Sequence, residues 1–348
     1  MLKKFPIALS LVSWVLMGAP LLQAQVETSQ EGLDFGPNRA DEPIAQAFSL
    51  KRTVNFLDAT ALNWQRERNC MTCHTNYAYL YARPAVADDA EAHRQVRRYA
   101  DEMVRNRWQE QGPRWDAEVV ATAAALAFHD SMTTGRLAST TQIALERMWT
   151  VQREDGGFSW LKCGWPPMES DDHYGVTLAA IAVGVAPPAY RETAAAQTGL
   201  RNIRNYFEHN PPETLHHRAM LLWAGSYVEG LLKPGEREQW IKDLAAKQKS
   251  DGGWALAELG QWERADGSPQ DTETSDGYAT AFVIYVLRRA EVPINSQPIQ
   301  DGVDWLKTHQ RQSGRWFTRS LNRDNKHFIS HAGTAMALMA LTSCGEGR

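Results

Sequence analysis

The chain has 348 residues, 43% of them hydrophobic and 22% charged, with a formal net charge of -4 from 37 basic and 41 acidic side chains. That balance belongs to a folded globular chain with enough apolar residues for a sizeable core, and it excludes a disordered one. Without a Lys/Arg-rich run there is no electrostatic footprint for nucleic acid, so nucleic acid is excluded as a partner.

The first residues carry Lys3 and Lys4, then an apolar stretch from Ile7 to Leu22, then Ala24 and Gln25. This is the layout of a secretory signal, with cleavage expected after Ala24. The stretch is bracketed by Pro6 and Pro20 and falls short of the roughly 18 to 20 apolar residues that a spanning helix needs. Residues 1–24 are therefore read as a signal peptide, 25–47 as an exported linker and 48–344 as the folded domain, periplasmic or otherwise exported. No spanning membrane segment is expected in the mature chain.

The next signal is Cys70-Met71-Thr72-Cys73-His74. In Cys-x-x-Cys-His two thiolates add to the vinyl groups of haem and the adjoining imidazole supplies an axial nitrogen to iron, so the macrocycle dictates both residue type and spacing. One covalent haem c on Cys70, Cys73 and His74 is the expectation. A zinc site would need a second Cys or His pair at suitable spacing, and a thioredoxin-like pair would follow a strand. The sixth iron ligand stays open among Met103, His93, Met168, His173 and His331. Cys163 and Cys344 remain; an oxidising compartment would allow them to pair.

Further along, Gln152 to Phe158, Gln248 to Trp254 and Gln310 to Trp316 repeat the pattern Gln-x-x-x-Gly-x-aromatic. Each follows a helical-looking segment (142–151, 236–247, 299–309), where glycine supplies a positive φ and the ring packs back. After each comes a loop and a segment rich in Ala, Val, Ile and Leu on most sides: Tyr174 to Val185, Gly277 to Arg289 and Ala332 to Leu341. Such segments suit inner helices, and the amphipathic ones between them suit an outer layer. Outer and inner partners alternate as 48–66 with 75–83, 89–107 with 115–129, 139–151 with 171–185, 190–209 with 213–230, 235–248 with 274–290, and 298–310 with 328–342. Six hairpins predict an all-α (α/α)6 toroid. Cys70 to His74 then fills the place of a repeat loop, on the rim that also carries Asp171-Asp172-His173-Tyr174, Asp276-Gly277-Tyr278 and Ser330-His331.

The three glycine-aromatic repeats, each followed by a small-residue helix, resemble those of the squalene cyclase and prenyltransferase superfamily over about residues 139 to 344. The resemblance implies a double-layered helical barrel with a central apolar cavity and a loop-lined mouth. Glu169-Ser170-Asp171-Asp172 is similar to the Asp-x-Asp-Asp motif with which squalene-hopene cyclases protonate an alkene, Asp171 matching the proton-donating position and Glu169 departing from the pattern. Such chemistry needs a carboxyl kept protonated by burial beside cation-stabilising rings such as Trp160, Trp165, Trp223 or Trp262. Against it, Ser170, Asp171 and Asp172 stand where short acidic side chains cap an inner helix, and those cyclases have two barrel domains where this chain has residues for one.

Three functions follow. The first is an exported c-type haem protein, with electron transfer or redox sensing through a partner protein or small electron carrier, its toroid offering a pocket for an apolar isoprenoid. The second is a terpene cyclase-like enzyme using Asp171 and Asp172. The third is a carbohydrate-active toroid with paired carboxylates.

Overall fold

Short oxygen-bearing side chains open the helices. Ser49, Asp171, Thr193, Thr214 and Asp276 each accept the backbone N–H three residues on, satisfying a donor that the first helical turn would leave orphaned. The computed structural model describes residues 33–86 and 90–346, so the expected signal peptide lies outside the described residues.

The principal helices fall into six consecutive pairs: α1 (Leu50–Arg68) with α2 (Ala78–Ala82), α3 (Glu91–Glu102) with α4 (Asp116–Thr133), α5 (Ser139–Thr150) with α6 (Asp172–Gly184), α7 (Ala194–His209) with α8 (Leu215–Gly225), α9 (Glu236–Ala245) with α10 (Gly277–Arg289), and α11 (Gln297–His309) with α12 (Ile329–Ser343). Even-numbered helices are inner. Nearly every residue of α6, α10 and α12 is buried, whereas α7 buries one stripe through Ala196, Leu200, Ile203 and Phe207. Each inner helix packs on the next, and α12 returns to pack on α1 and α2. The described residues hold no strand, only isolated bridges. This is the all-α toroid expected.

The glycine-aromatic repeats hold the ring together. Gln152, Gln248 and Gln310 each donate to the carbonyl of the repeat's own glycine and to a carbonyl of the next outer helix or its cap: Gly199, Pro298 and Ser49. Gly156, Gly252 and Gly314 have φ of 86°, 90° and 96°. They close a turn that follows the helix rather than capping it, and their missing Cβ lets the next outer helix approach. Trp254 and Trp316 donate back to Leu244 and Leu306 on their own preceding helices, at 2.8 Å each.

Residues 33–47 lie across the ring seam. Ala45 N–H donates to Gln310 O at 2.7 Å, and Arg315 donates to Gly36 O, Phe35 O and Glu42.

The open central cavity implied by the resemblance is not what occupies the axis. Tyr81 of α2, Phe128 of α4, Trp223 of α8 and Tyr285 of α10 pack edge to face, with Tyr81–Trp223 centroids 6.2 Å apart and Trp223–Tyr285 centroids 5.3 Å apart. Helices α2 and α8 are opposite members of the ring, so the Tyr81–Trp223 contact crosses it. An aromatic plug fills the middle, with edge-to-face geometry satisfying the ring quadrupoles.

Candidate functional site at the barrel rim

Asn69 ends α1 in the left-handed conformation (φ 46°), its N–H donating to Gln65 O at 2.8 Å. That turn sends Cys70–Thr72 across to the inner layer. The Thr72 carbonyl accepts from Thr75 and Tyr77 N–H, which sets a π-helical turn over Cys73–Tyr77 that runs into α2. The motif thus occupies the loop between the first outer and inner helices, on the rim where Asp171 and Asp276 cap α6 and α10.

The His74 ring stacks on Phe328, with centroids 5.6 Å apart, and meets Trp64 edge-on at 5.2 Å. Its Nδ1 lies 3.1 Å from Thr75 Oγ1 and 3.4 Å from Thr72 Oγ1; Nε2 makes no hydrogen bond among the described residues. Burial, with Arg68 nearby, pulls His74 down to about 4. Cys73 is buried, and burial pushes its thiol well up, Glu169 and Cys163 adding to the effect. Cys70 is half-buried on the side of Tyr99.

Both Cys70 and Cys73 are unpaired thiols. Trp64 Nε1, beside His74, is buried without a hydrogen-bond partner. Buried donors left unpaired cost about 1–3 kcal/mol each, and an acceptor-bearing group held by the motif would relieve that cost. Two free thiols, an imidazole whose Nδ1 is engaged and whose Nε2 is not, and an aromatic surround fit a covalently attached haem. Among the described residues no three His, Cys, Asp or Glu side chains are placed to hold a metal ion by themselves.

The sixth-ligand candidates disperse. His93 Nε2 is 2.9 Å from His129 Nε2. His331 has both nitrogens engaged, by Asn38 and Thr75 at 3.0 Å each. His173 is buried with neither nitrogen bonded and stacks on His217 at 4.2 Å, with burial pulling it down to about 3. Met103 and Met168 are core residues. Cys163 and Cys344 do not pair: Cys163 is exposed on the rim loop, whereas Cys344 caps the far end of α12.

In the acidic motif, Asp171 caps α6, and its Oδ2 accepts from Ser170 at 3.0 Å and contacts His217 Nε2 at 3.1 Å. Burial works to raise this carboxyl, but His217 and Ser170 outweigh it and hold it well below the usual range. Asp172 pairs with Arg153 at 2.8 Å and Lys162 at 3.3 Å and accepts Trp160 N–H. The carboxyl pushed upward is Glu169, by burial alone, and its charge reaches Cys73, Cys163 and Tyr174. Asp276 is also raised, to about 6, by burial, although Ala279, Leu256 and Thr318 all donate to it.

Sequence reasoning passed over Trp64, Thr75 and Phe328, which surround His74. No spacing rule joins Phe328 to His74, because only ring closure makes them neighbours. Beside Trp64 and Phe328 lies a groove of about 500 Å³ lined by Phe35, Asn38, Phe56, Arg68 and His331.

The chain matches no protein-family model. No curated protein sequence matches it either. Its fold is similar to that of ent-copalyl diphosphate synthase from Streptomyces platensis, at 17% identity and a TM-score of 0.53, over 82% of this chain and 54% of that one. It is likewise similar to a polysaccharide lyase, at 12% identity and a TM-score of 0.52, over 84% of this chain and 96% of that one. The chain spans about half the length of the copalyl diphosphate synthase. At such identities the likeness is one of fold, which the copalyl diphosphate synthase and the polysaccharide lyase share.

Proposed function

We propose that this chain carries one haem c on Cys70, Cys73 and His74 and works in electron transfer or redox sensing, exchanging electrons with a partner protein or a small electron carrier outside the cytoplasm. The observation that carries this reading is the pairing of two free thiols with an imidazole whose Nε2 is unengaged, in a rim loop beside the unpaired buried donor Trp64 Nε1. Haem, when bound, supplies a one-electron iron centre. The chain's part is placement. Thr72 and Thr75 orient the His74 ring through Nδ1, and Phe328 and Trp64 exclude water from its face and edge.

The test is expression with a c-type maturation system, followed by spectra of the oxidised and reduced protein. Haem absorbance that survives denaturation, and is lost in Cys70→Ala/Cys73→Ala, is expected. A colourless protein with both thiols free would overturn the reading.

A second reading, a terpene cyclase-like enzyme or an isoprenoid-binding rim, draws support from Glu169. This carboxyl is raised by burial and is influenced by no cation, whereas Asp171 is held ionised. A proton donor needs a carboxyl shifted toward keeping its proton, and within the motif burial shifts Glu169 that way while Asp171 is shifted the other way, so of the two Glu169 is the acid in this reading. With squalene or a shorter polyprenyl substrate, product formation lost in Glu169→Gln and kept in Asp171→Asn is expected. No turnover by the wild type removes this reading.

A further inference from the structure

Resting on the haem reading of His74, we infer that Arg315, Asn38, His331 and Thr75 form a one-way hydrogen-bond chain that decides which nitrogen of His74 carries its proton. His331 is then a positioning residue for the iron ligand. The direction follows from the first link. Arg315 is buried and held by Glu42, Gly36 O and Phe35 O. A guanidinium only donates, so the Asn38 atom 2.9 Å from Arg315 Nη1 is the amide oxygen. The Asn38 nitrogen therefore faces His331 Nε2, at 3.0 Å, and it too can only donate. That makes Nε2 the bare nitrogen of His331 and puts its proton on Nδ1, which donates to Thr75 Oγ1 at 3.0 Å. Thr75 is buried, and its own hydroxyl proton finds its acceptor at His74 Nδ1, 3.1 Å away.

Neutral His74 is thereby held with its proton on Nε2 while no metal is bound. Bound to iron through Nε2, a neutral His74 would carry its one proton on Nδ1, and Thr75 would then turn from donor to acceptor. Its oxygen is already accepting from His331, so it accepts the His74 N–H weakly, and the other oxygen near Nδ1, Thr72 Oγ1, stands off at 3.4 Å. A weakly held Nδ1–H makes imidazole a poorer electron donor, which favours the reduced iron. Removing the His331 donor frees the Thr75 oxygen and reverses the effect.

Long-range proton–nitrogen NMR of the full 15N-labelled chain, produced without haem maturation, reads both tautomers. The wild type is expected to show His74 protonated on Nε2 and His331 on Nδ1. In His331→Phe, which keeps a ring beside Phe56 and Trp64, His74 is expected to shift toward the Nδ1–H form. In Asn38→Leu, His331 is expected to lose its tautomer preference with Thr75 untouched. His74 protonated on Nδ1 in the wild type, or tautomers unchanged in both variants, overturns the inference. In haem-loaded protein the reduction potential of His331→Phe is expected to fall, and an unchanged potential also overturns it. A colourless wild type sinks the haem reading alone, since the NMR experiment still decides the direction of the chain. Thermal melts identify a variant that fails to fold, and Asn38→Leu and His331→Phe test separate links.

Discussion

At Gly314 the backbone φ is 96°, and a Cβ would strike the Arg52 carbonyl oxygen of α1. Alanine there meets both a disfavoured conformation and a backbone clash, so Gly314→Ala is expected to cost about 2 kcal/mol or more, measured by urea unfolding. Gly267 (φ 70°) has nothing within 4 Å, so Gly267→Ala reports the conformational part alone and is expected to cost about 1 kcal/mol. Equal losses at the two positions would mean that the approach of α1 to Gly314 contributes nothing. The same dependence on surroundings separates Glu169 from Asp171. They stand two positions apart, yet burial raises one carboxyl while His217 and Ser170 lower the other.

Between elements, polar groups tie α3, α4 and the start of α5 together at one corner. Arg97 of α3 pairs with Asp130 at the end of α4, and Asp130 also accepts from Thr141 Oγ1 at 2.6 Å and Ala138 N–H at 2.7 Å. Burial works to raise Asp130, but His129, Arg97 and Thr141 outweigh it and bring it down to about 2. A carboxylate depressed from its ordinary 3.8 contributes stability that is present above that value and lost as pH falls toward about 2. Burial also lowers neighbouring His129 below 6.5, and a neutral buried imidazole likewise contributes stability that is lost on acidification. Both groups act in one direction. Asp130→Asn is expected to lose about 2 kcal/mol or more at pH 7 and to show a flatter fall in stability between pH 4 and pH 2, by urea unfolding across pH. A variant with the wild-type acid profile would exclude Asp130 as its source.

Across the whole molecule, closure of the ring turns separate pairs into one site. Gln310 reaches Ser49 and Thr53, and α12 packs on α1 and α2, which brings Phe328 and His331 to His74 from more than 250 positions along the chain. The same closure drives Tyr81 and Trp223 together across the axis, so aromatic rings occupy the middle of the toroid. Helix pairs, glycine turns and the Cys70–His74 loop were legible in the sequence because each rests on local rules: helical periodicity, caps within three residues and a positive φ that glycine supplies. The neighbours of His74, the plug on the axis and the split between Glu169 and Asp171 were decided by tertiary structure alone. They depend on which side chains distant segments bring into contact, and desolvation and hydrogen bonding across such contacts have no counterpart in residue spacing.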